Sequence, residues 1–307
     1  MNLSNKITDF RESVRKDIFL YALLLLPITF FVVFKYVPML GIMLAFRQWS
    51  PGGPIYGSKF RGLYYFEAFL TDPTFWRAFK NNIVLSLLNL LIGFPFPIVF
   101  ALLLEEVHNV PFKKTVQTVS YLPRFISVVV VVGLIHEFLS PSQGILNILI
   151  ANFGIEPIHF LALPQWFRPI YISSEIWQWM GWHAIIYIAA LANVDISLYE
   201  NAAVEGAGRF KQVIHISIHQ IMPAIVITLI LRIGHILSIG FEKILLLENP
   251  LVRDKSEVIA TYVFRLGILG GHYSFATAIG FFGSLFGLLL IFTTNWLARK
   301  YSETSLW

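Results

Sequence analysis

The chain has no cysteine in 307 residues, which removes disulfide frameworks and thiolate metal sites from consideration. Charge is scarce as well: Asp, Glu, Lys and Arg make up 13% of the residues, about half the share of a soluble domain. The apolar stretches lack the period-2 alternation of barrel strands and are too long for them, so helices are left as the means of crossing a bilayer. No cluster of Lys and Arg with interleaved aromatics occurs, so the net charge of +5 is an ordinary positive-inside excess rather than a nucleic-acid footprint. No Gly-x-Ser-x-Gly stands in the sequence, and no aspartate pair within an apolar run suggests intramembrane proteolysis. There is no internal repeat, no low-complexity tract and no separate soluble domain.

What is present is apolar surface: 56% hydrophobic residues, 16% aromatics and a mean hydropathy of +0.68. One soluble core of this length cannot hide that much. About twenty apolar residues cross ~30 Å of hydrocarbon as helix. The sequence therefore predicts an all-α integral membrane protein with six transmembrane helices, at 18–46, 77–104, 118–139, 169–193, 223–247 and 274–298. Residues 1–17 and 299–307 are end segments, and 194–222 is the connection between the fourth and fifth spans. Arg11, Arg15 and Lys16 precede the first run as in a secretory signal, but that run is too long and has no small-residue cleavage pattern, so it reads as a retained span.

Six spans place both termini on one side. The connections on the termini side (1–17, 105–117, 194–222, 299–307) hold ten Lys and Arg in 68 residues, against seven in 85 on the other side (47–76, 140–168, 248–273). This modest bias makes the first set cytoplasmic. On the outer side, 50–57 and 140–144 are rich in turn residues, and 64–80 mixes aromatics with charge as an amphipathic surface helix leading into the second span.

Two apparent sites fail on chemistry. Residues 52–59 resemble a phosphate loop, but they end Gly-Ser-Lys where that loop needs Gly-Lys followed by Ser or Thr, and they carry prolines and no preceding buried strand. His215 and His219 stand at i and i+4, a zinc spacing, yet no flanking acid completes the protease motif, and a solvated pair is the better reading.

The polar stretch 194–223 is the most informative. Asn193, Asp195 and Ser197 precede the helix formers Ala202, Ala203, Glu205 and Ala207, and Gly206-Ala207-Gly208 then interrupts them. That predicts a short helix, a turn and a second short helix over 209–221, before Pro223 opens the next span. Two readings stand: a plain connector lying at the interface, or a docking element whose small residues let a partner approach.

Here the residues resemble the permease subunits of type I ABC importers, whose cytoplasmic loop carries the EAA motif: Glu-Ala-Ala, three residues, Gly, nine residues, Ile, one residue, Leu-Pro. Glu200, Asn201 and Ala202 stand at Glu-Ala-Ala, Gly206 at the glycine, Ile216 at the isoleucine, and Ile218-His219 at Leu-Pro, with no gap. Asn201, Ile218 and His219 depart from the pattern, as does Glu205, where sugar permeases usually have aspartate. The segment 66–78, Tyr121-Leu122-Pro123 and the six-span order extend the resemblance over most of the chain, and it is nearest the LplB-type branch for oligosaccharide or polysaccharide fragments. The resemblance implies a bacterial cytoplasmic-membrane protein paired with a second, homologous permease, two ATPase subunits beneath and an extracytoplasmic solute-binding protein above. It implies no cofactor in this chain, with ATP and Mg in the ATPases, and a coupling helix at Glu200, Asn201, Ala202, Ala203, Glu205, Gly206 and Ala207. Glu200 would pair with a basic residue of the ATPase. A permease for a peptide or amino acid, a membrane enzyme acting on lipid or glycan, and a passive channel are the alternatives.

Polar groups inside spans are the guide to a substrate path, since a charge at the bilayer centre costs about 2.5–3.5 kcal/mol on insertion scales. Arg124, Glu137, Glu175, Arg232 and Glu242 are such groups, the three glutamates being expected near span ends. Arg232 with His235, and Trp179, Trp182 and His183 on span four, are the candidates, because aromatic faces stack on sugar rings while imidazole bonds hydroxyls. An interfacial aromatic belt is the alternative for the tryptophans. Asn89 is expected to bond between helices.

Overall fold

The computed structural model describes residues 16–54, 58–237 and 239–301. Helices dominate them: α1 (Ile18–Phe46), α2 (Tyr64–Leu70), α3 (Pro73–Glu105), α4 (Val110–Phe125), α5 (Val128–Phe138), α6 (Ile145–Ala151), α7 (Pro164–Leu191), α8 (Ile196–Val204), α9 (Arg209–Gly234), α10 (Phe241–Leu247), α11 (Arg253–Ser256), α12 (Ile259–Leu269) and α13 (Tyr273–Tyr301). A two-residue antiparallel ribbon pairs β1 (Arg47–Gln48) with β2 (Lys59–Phe60). Among the described residues four helices, α1, α3, α9 and α13, are long and apolar enough to cross a membrane alone. Counting each of the bent pairs α4/α5 and α7/α8 as one span gives six.

Two apolar runs break where hydropathy predicts continuity. The run 118–139 is divided between α4 and α5, which meet at 100°. Ile126 and Ser127 are extended there, and Ser127 restarts the helix by accepting the Val130 amide on its hydroxyl. The run 223–247 is likewise divided: α9 begins fourteen residues earlier, at Arg209, ends at Gly234, and the chain re-enters helix at Phe241. The cause is a bond from another helix. The Ile236 carbonyl accepts from Asn82 Nδ2 at 3.0 Å and from the Ser86 hydroxyl, both on α3, and so leaves its own ladder. Asn82 and Ser86 thus perform the interhelical bonding expected of Asn89, whose side chain instead lies against Gly93 one turn on in its own helix.

Three apolar clusters hold the bundle. One, around Leu85, Tyr171, Ile244 and Val258, joins α3, α7, α10 and the 248–258 connection. A second is phenyl-rich, with Phe69 and Phe75 rings 4.7 Å apart beneath α12 and α13. The third, Ala101, Ala184, Tyr187, Leu191 and Ile221, packs α7 on α3 and α9 toward the end that carries α8. Gly181 lets α7 touch α4, since a Cβ there would stand 2.2 Å from the Ser120 carbonyl. By contrast α1, with mean hydropathy 2.3, leaves every residue up to Leu40 exposed and packs through its last turns alone. An apolar helix so bare needs lipid or another protein around it.

Candidate functional site

Two regions carry the chemistry. The first is the turn from α7 through α8 to α9. Asp195 caps α8 by accepting the Ser197 amide at 2.9 Å, and that bond holds its carboxyl below the usual carboxylate range. At the other end Gly206 adopts φ +81°, a left-handed conformation that favours glycine. The Gly206 amide donates to Ala203 and the Ala207 amide to Ala202, closing a Schellman pair, and Gln212 Nε2 ties α9 back to the Ala207 carbonyl at 3.0 Å. The second short helix expected over 209–221 is continuous with α9, so a single 26-residue rod runs from the loop into the bundle. Arg209 anchors the rod to the α3–α4 connection through His108 at 3.0 Å and Glu106 at 3.6 Å.

α8 lies at 73° to α7. Glu200, Asn201, Ala203, Glu205 and Gly206 are exposed, Ala202 and Ala207 half-buried, and Glu200 forms no ion pair among the described residues. Val204 is 90% and Phe210 78% exposed, so apolar groups sit bare beside an unpaired acid. Apolar groups and an acid without an ion pair among the described residues thus share one exposed surface.

The second region is a cavity of about 340 Å³ lined by Phe94, Pro97, His183, Ile186, Tyr187, Thr228, Leu231, Arg232 and His235. The break at residue 235 ends α9 at its edge, and the Tyr187 and Thr228 hydroxyls bond across it at 2.8 Å. The structure brings His183, Arg232 and His235 together here. Trp179 is one step away, its ring stacked on His183 at 5.4 Å. Trp182 is not on the wall: it is 41% exposed and packs edge-on against Phe125. Phe94, Pro97, Tyr187 and Thr228 escape sequence reasoning because all four are ordinary span residues and only the packing of α3 and α9 on α7 makes them neighbours. Arg124, at the α4/α5 break, lies over the Trp179 ring at 4.1 Å.

Glu175 meets Lys243 at 2.5 Å, and Lys243 is buried. Glu137 and Glu242 are exposed. His215 and His219 are exposed and bond carbonyls of their own helix, and no metal-holding cluster occurs among the described residues. Residues 55–57 of the rejected phosphate-loop stretch lie outside the described residues.

Residues 74–303 match the family described as binding-protein-dependent transport system inner membrane component. The chain belongs to this family. It is a multi-pass membrane permease, a transporter subunit rather than an enzyme. The permease is 40% identical to Protein LplB of Bacillus subtilis (strain 168), over 99% of this chain and 95% of that one. It is 45% identical to the polygalacturonan/rhamnogalacturonan transport system permease protein YteP of the same organism, over 94% and 90%. Among solved structures, a chain of a bacterial alginate ABC transporter in complex with an alginate pentasaccharide-bound periplasmic protein is 41% identical, with a TM-score of 0.89 over 96% of this chain and 99% of that one.

Proposed function

We propose that this permease forms half of the pathway of an ATP-driven importer for an oligosaccharide, delivered by an extracytoplasmic binding protein. The bare loop geometry carries the coupling half of this reading. An exposed helix set across the bundle end, closed by a left-handed glycine and continuous with a rod that reaches the cavity, is suited to transmit a push from a partner. Glu200 to Ala207 meet an ATPase subunit; ATP and Mg belong to that subunit and its twin. With the loop on the ATPase side, both termini are cytoplasmic. The unburied α1 supports a second, homologous permease, because its apolar length finds no cover among the described residues. Closure of the ATPase pair would then rock the spans between inward and outward states, since a docked helix moves with its partner.

Carbohydrate follows from the relatives, one described as a polygalacturonan/rhamnogalacturonan permease and another taken from an alginate importer. The cavity suits it: hydroxyl, imidazole and aromatic groups converge there. His183, Arg232 and His235 line the path and Trp179 backs it.

Uptake of labelled oligosaccharides by cells expressing the complete complex tests this, with wild type compared with Glu200→Ala and Gly206→Asp and the ATPase followed by pulldown. Loss of uptake with the permease still in the membrane is expected. Normal uptake by both variants with the ATPase attached would reduce the loop to a connector.

A further inference from the structure

A separate cavity of about 500 Å³ lies at the end of the bundle opposite α8. α3 fixes this placement: Glu106, just past its last residue, meets Arg209 of the loop, while Asp72, just before its first, lines the cavity. From Asp72 to Phe94, which lines the cavity already described, α3 rises about 33 Å, so the two are distinct. The volume falls within the range of about 300–1,000 Å³ usual for small-molecule sites.

The walls come from four pieces of this one chain: β1 with the residues that follow it, α2, α12 and the start of α13. Bonds within the chain hold them in place. The Trp49 amide donates to the Ser274 hydroxyl at 3.1 Å, and its indole donates to the Gly53 carbonyl at 2.8 Å and meets the Tyr273 ring edge-on at 5.4 Å. On the α2 side, the Tyr64 and Tyr65 rings stand edge to face at 5.2 Å. Arg61 gives two N–H groups to Gln48 Oε1, at 3.0 and 2.6 Å, so the Gln48 side chain keeps its own amide N–H donors for another acceptor. Asp72 is the one carboxylate of the lining, and no Lys or Arg side chain lines it. Both Asp72 oxygens are bonded, one to the Thr74 amide at 2.8 Å and the other to the Tyr262 hydroxyl, which fixes the charge in the wall.

This combination selects among ligands. One carboxylate is too few for a metal ion, and a wall with a carboxylate, an amide and hydroxyls is wrong for an acyl chain. Aromatic faces beside hydrogen-bonding groups suit a sugar ring, whose C–H face stacks while its hydroxyls bond. The fixed carboxylate repels a ring that carries its own negative charge.

We infer that this cavity is a second saccharide site, which takes an uncharged sugar unit against the Trp49 and Tyr64 rings, with Asp72 and Gln48 bonding its hydroxyls, and holds it before entry into the pathway. This rests on the oligosaccharide reading above, under which this end of the bundle faces outward, and adds a site that the pathway does not include.

The absence of cysteine makes the site addressable. His272→Cys or Ser50→Cys gives the permease one thiol on the cavity wall, and Val204→Cys one at the opposite end. Maleimide labelling rates are followed in the purified complex of both permeases and the ATPases in lipid nanodiscs, without the binding protein. Galactotriose or trigalacturonate is added, two trimers that differ in their carboxyl groups alone, and uptake of labelled oligosaccharide by cells expressing the complete complex is measured in parallel. Saturating galactotriose is expected to slow labelling on the cavity wall about fivefold and at position 204 not at all, and trigalacturonate to act more weakly. Trp49→Ala and Tyr64→Ala should each raise the galactotriose concentration required about tenfold, and Trp49→Phe should restore most of it. No slowing by galactotriose in a complex that takes up oligosaccharide would overturn the inference and leave the carbohydrate reading in place; it is the result expected if the second permease fills the cavity. So would slowing that Trp49→Ala leaves unchanged, or slowing that is stronger with trigalacturonate. Absence of any oligosaccharide uptake by the complete complex would remove the carbohydrate reading itself, and this site with it.

Discussion

The α7–α9 loop and the cavity wall are tied together by bonds of different reach. In the loop the partners are neighbours in sequence: Asp195 with Ser197, Gly206 with Ala203, Ala207 with Ala202, Gln212 with Ala207. Within the bundle they are far apart: Asn82 with Ile236, Lys243 with Glu175 and, at the cavity itself, Tyr187 with Thr228. The loop is thus a locally closed unit with exposed surface, while the wall exists only once the bundle has assembled. Damage to the wall should therefore cost global stability, and damage to the loop should cost coupling.

The sharpest test of that contrast is Lys243→Met, which strands Glu175 without its cation. We expect a loss of about 3–5 kcal/mol, read as a lower unfolding midpoint of the complex in detergent, with Lys243→Met/Glu175→Gln recovering most of it. Equal midpoints for the single and double variants would show that the pair is not a unit. Next comes Asn82→Ala with Ser86→Ala, which leaves the Ile236 carbonyl unbonded at the helix break; about 1–3 kcal/mol should be lost, again globally. If that double variant instead left stability unchanged and α9 simply extended through residue 236, the break would not depend on α3.

Gly206→Ala should behave in the opposite way. A Cβ there meets nothing within 4 Å, so its cost is backbone strain alone, about 1–2 kcal/mol. It should fall on α8 and on ATPase association, with the unfolding midpoint of the spans unmoved. A lowered midpoint with normal ATPase pulldown would blur the contrast.

The smallest effect concerns pH at the opposite end of the bundle. Burial pushes the Asp72 carboxyl up, but the Tyr262 hydroxyl, the Thr74 amide and hydroxyl and the Arg77 charge together outweigh it and hold the group below its ordinary value. A depressed carboxylate stabilises above the unfolded-state value of about 3.9 and loses that stabilisation as pH falls through the folded one. Tyr262→Phe should lower the midpoint slightly at neutral pH, and the difference from wild type should shrink as pH drops below about 4. A gap that widened in acid would contradict the assignment.

The same difference of reach explains what could be read from the sequence. Helices, apolar spans and the loop follow from composition and from neighbours: Asp195 before a helix-forming run and Gly206 after it are local signals. The break at residue 235 is invisible to hydropathy because Ile233, Ile236, Leu237 and Ile239 continue the apolar run, and the bond that opens it comes from Asn82, over 150 positions away. The bend at Phe125 left a faint trace in Pro123, but Val128–Val132 looked like uninterrupted span. Arg232, His235 and His183 were legible as polar groups in apolar runs. Trp182 misled for the same reason, since helical spacing alone does not say which side of α7 faces the cavity. Lys243 carries no local sign of its role, since only Glu175 on another helix gives it one.

The most direct test of the central claim uses the absence of cysteine. Val204→Cys and Leu251→Cys, each 90% or 66% exposed in wild type and placed at opposite ends of the bundle, would be the sole cysteines of the permease. A benzophenone maleimide is attached to each in the assembled complex, which is then illuminated with and without ATP. The account predicts an ATPase adduct from position 204, changing in yield with ATP, and none from position 251. An ATPase adduct from 251, or none from 204 in a complex that still transports, would contradict it.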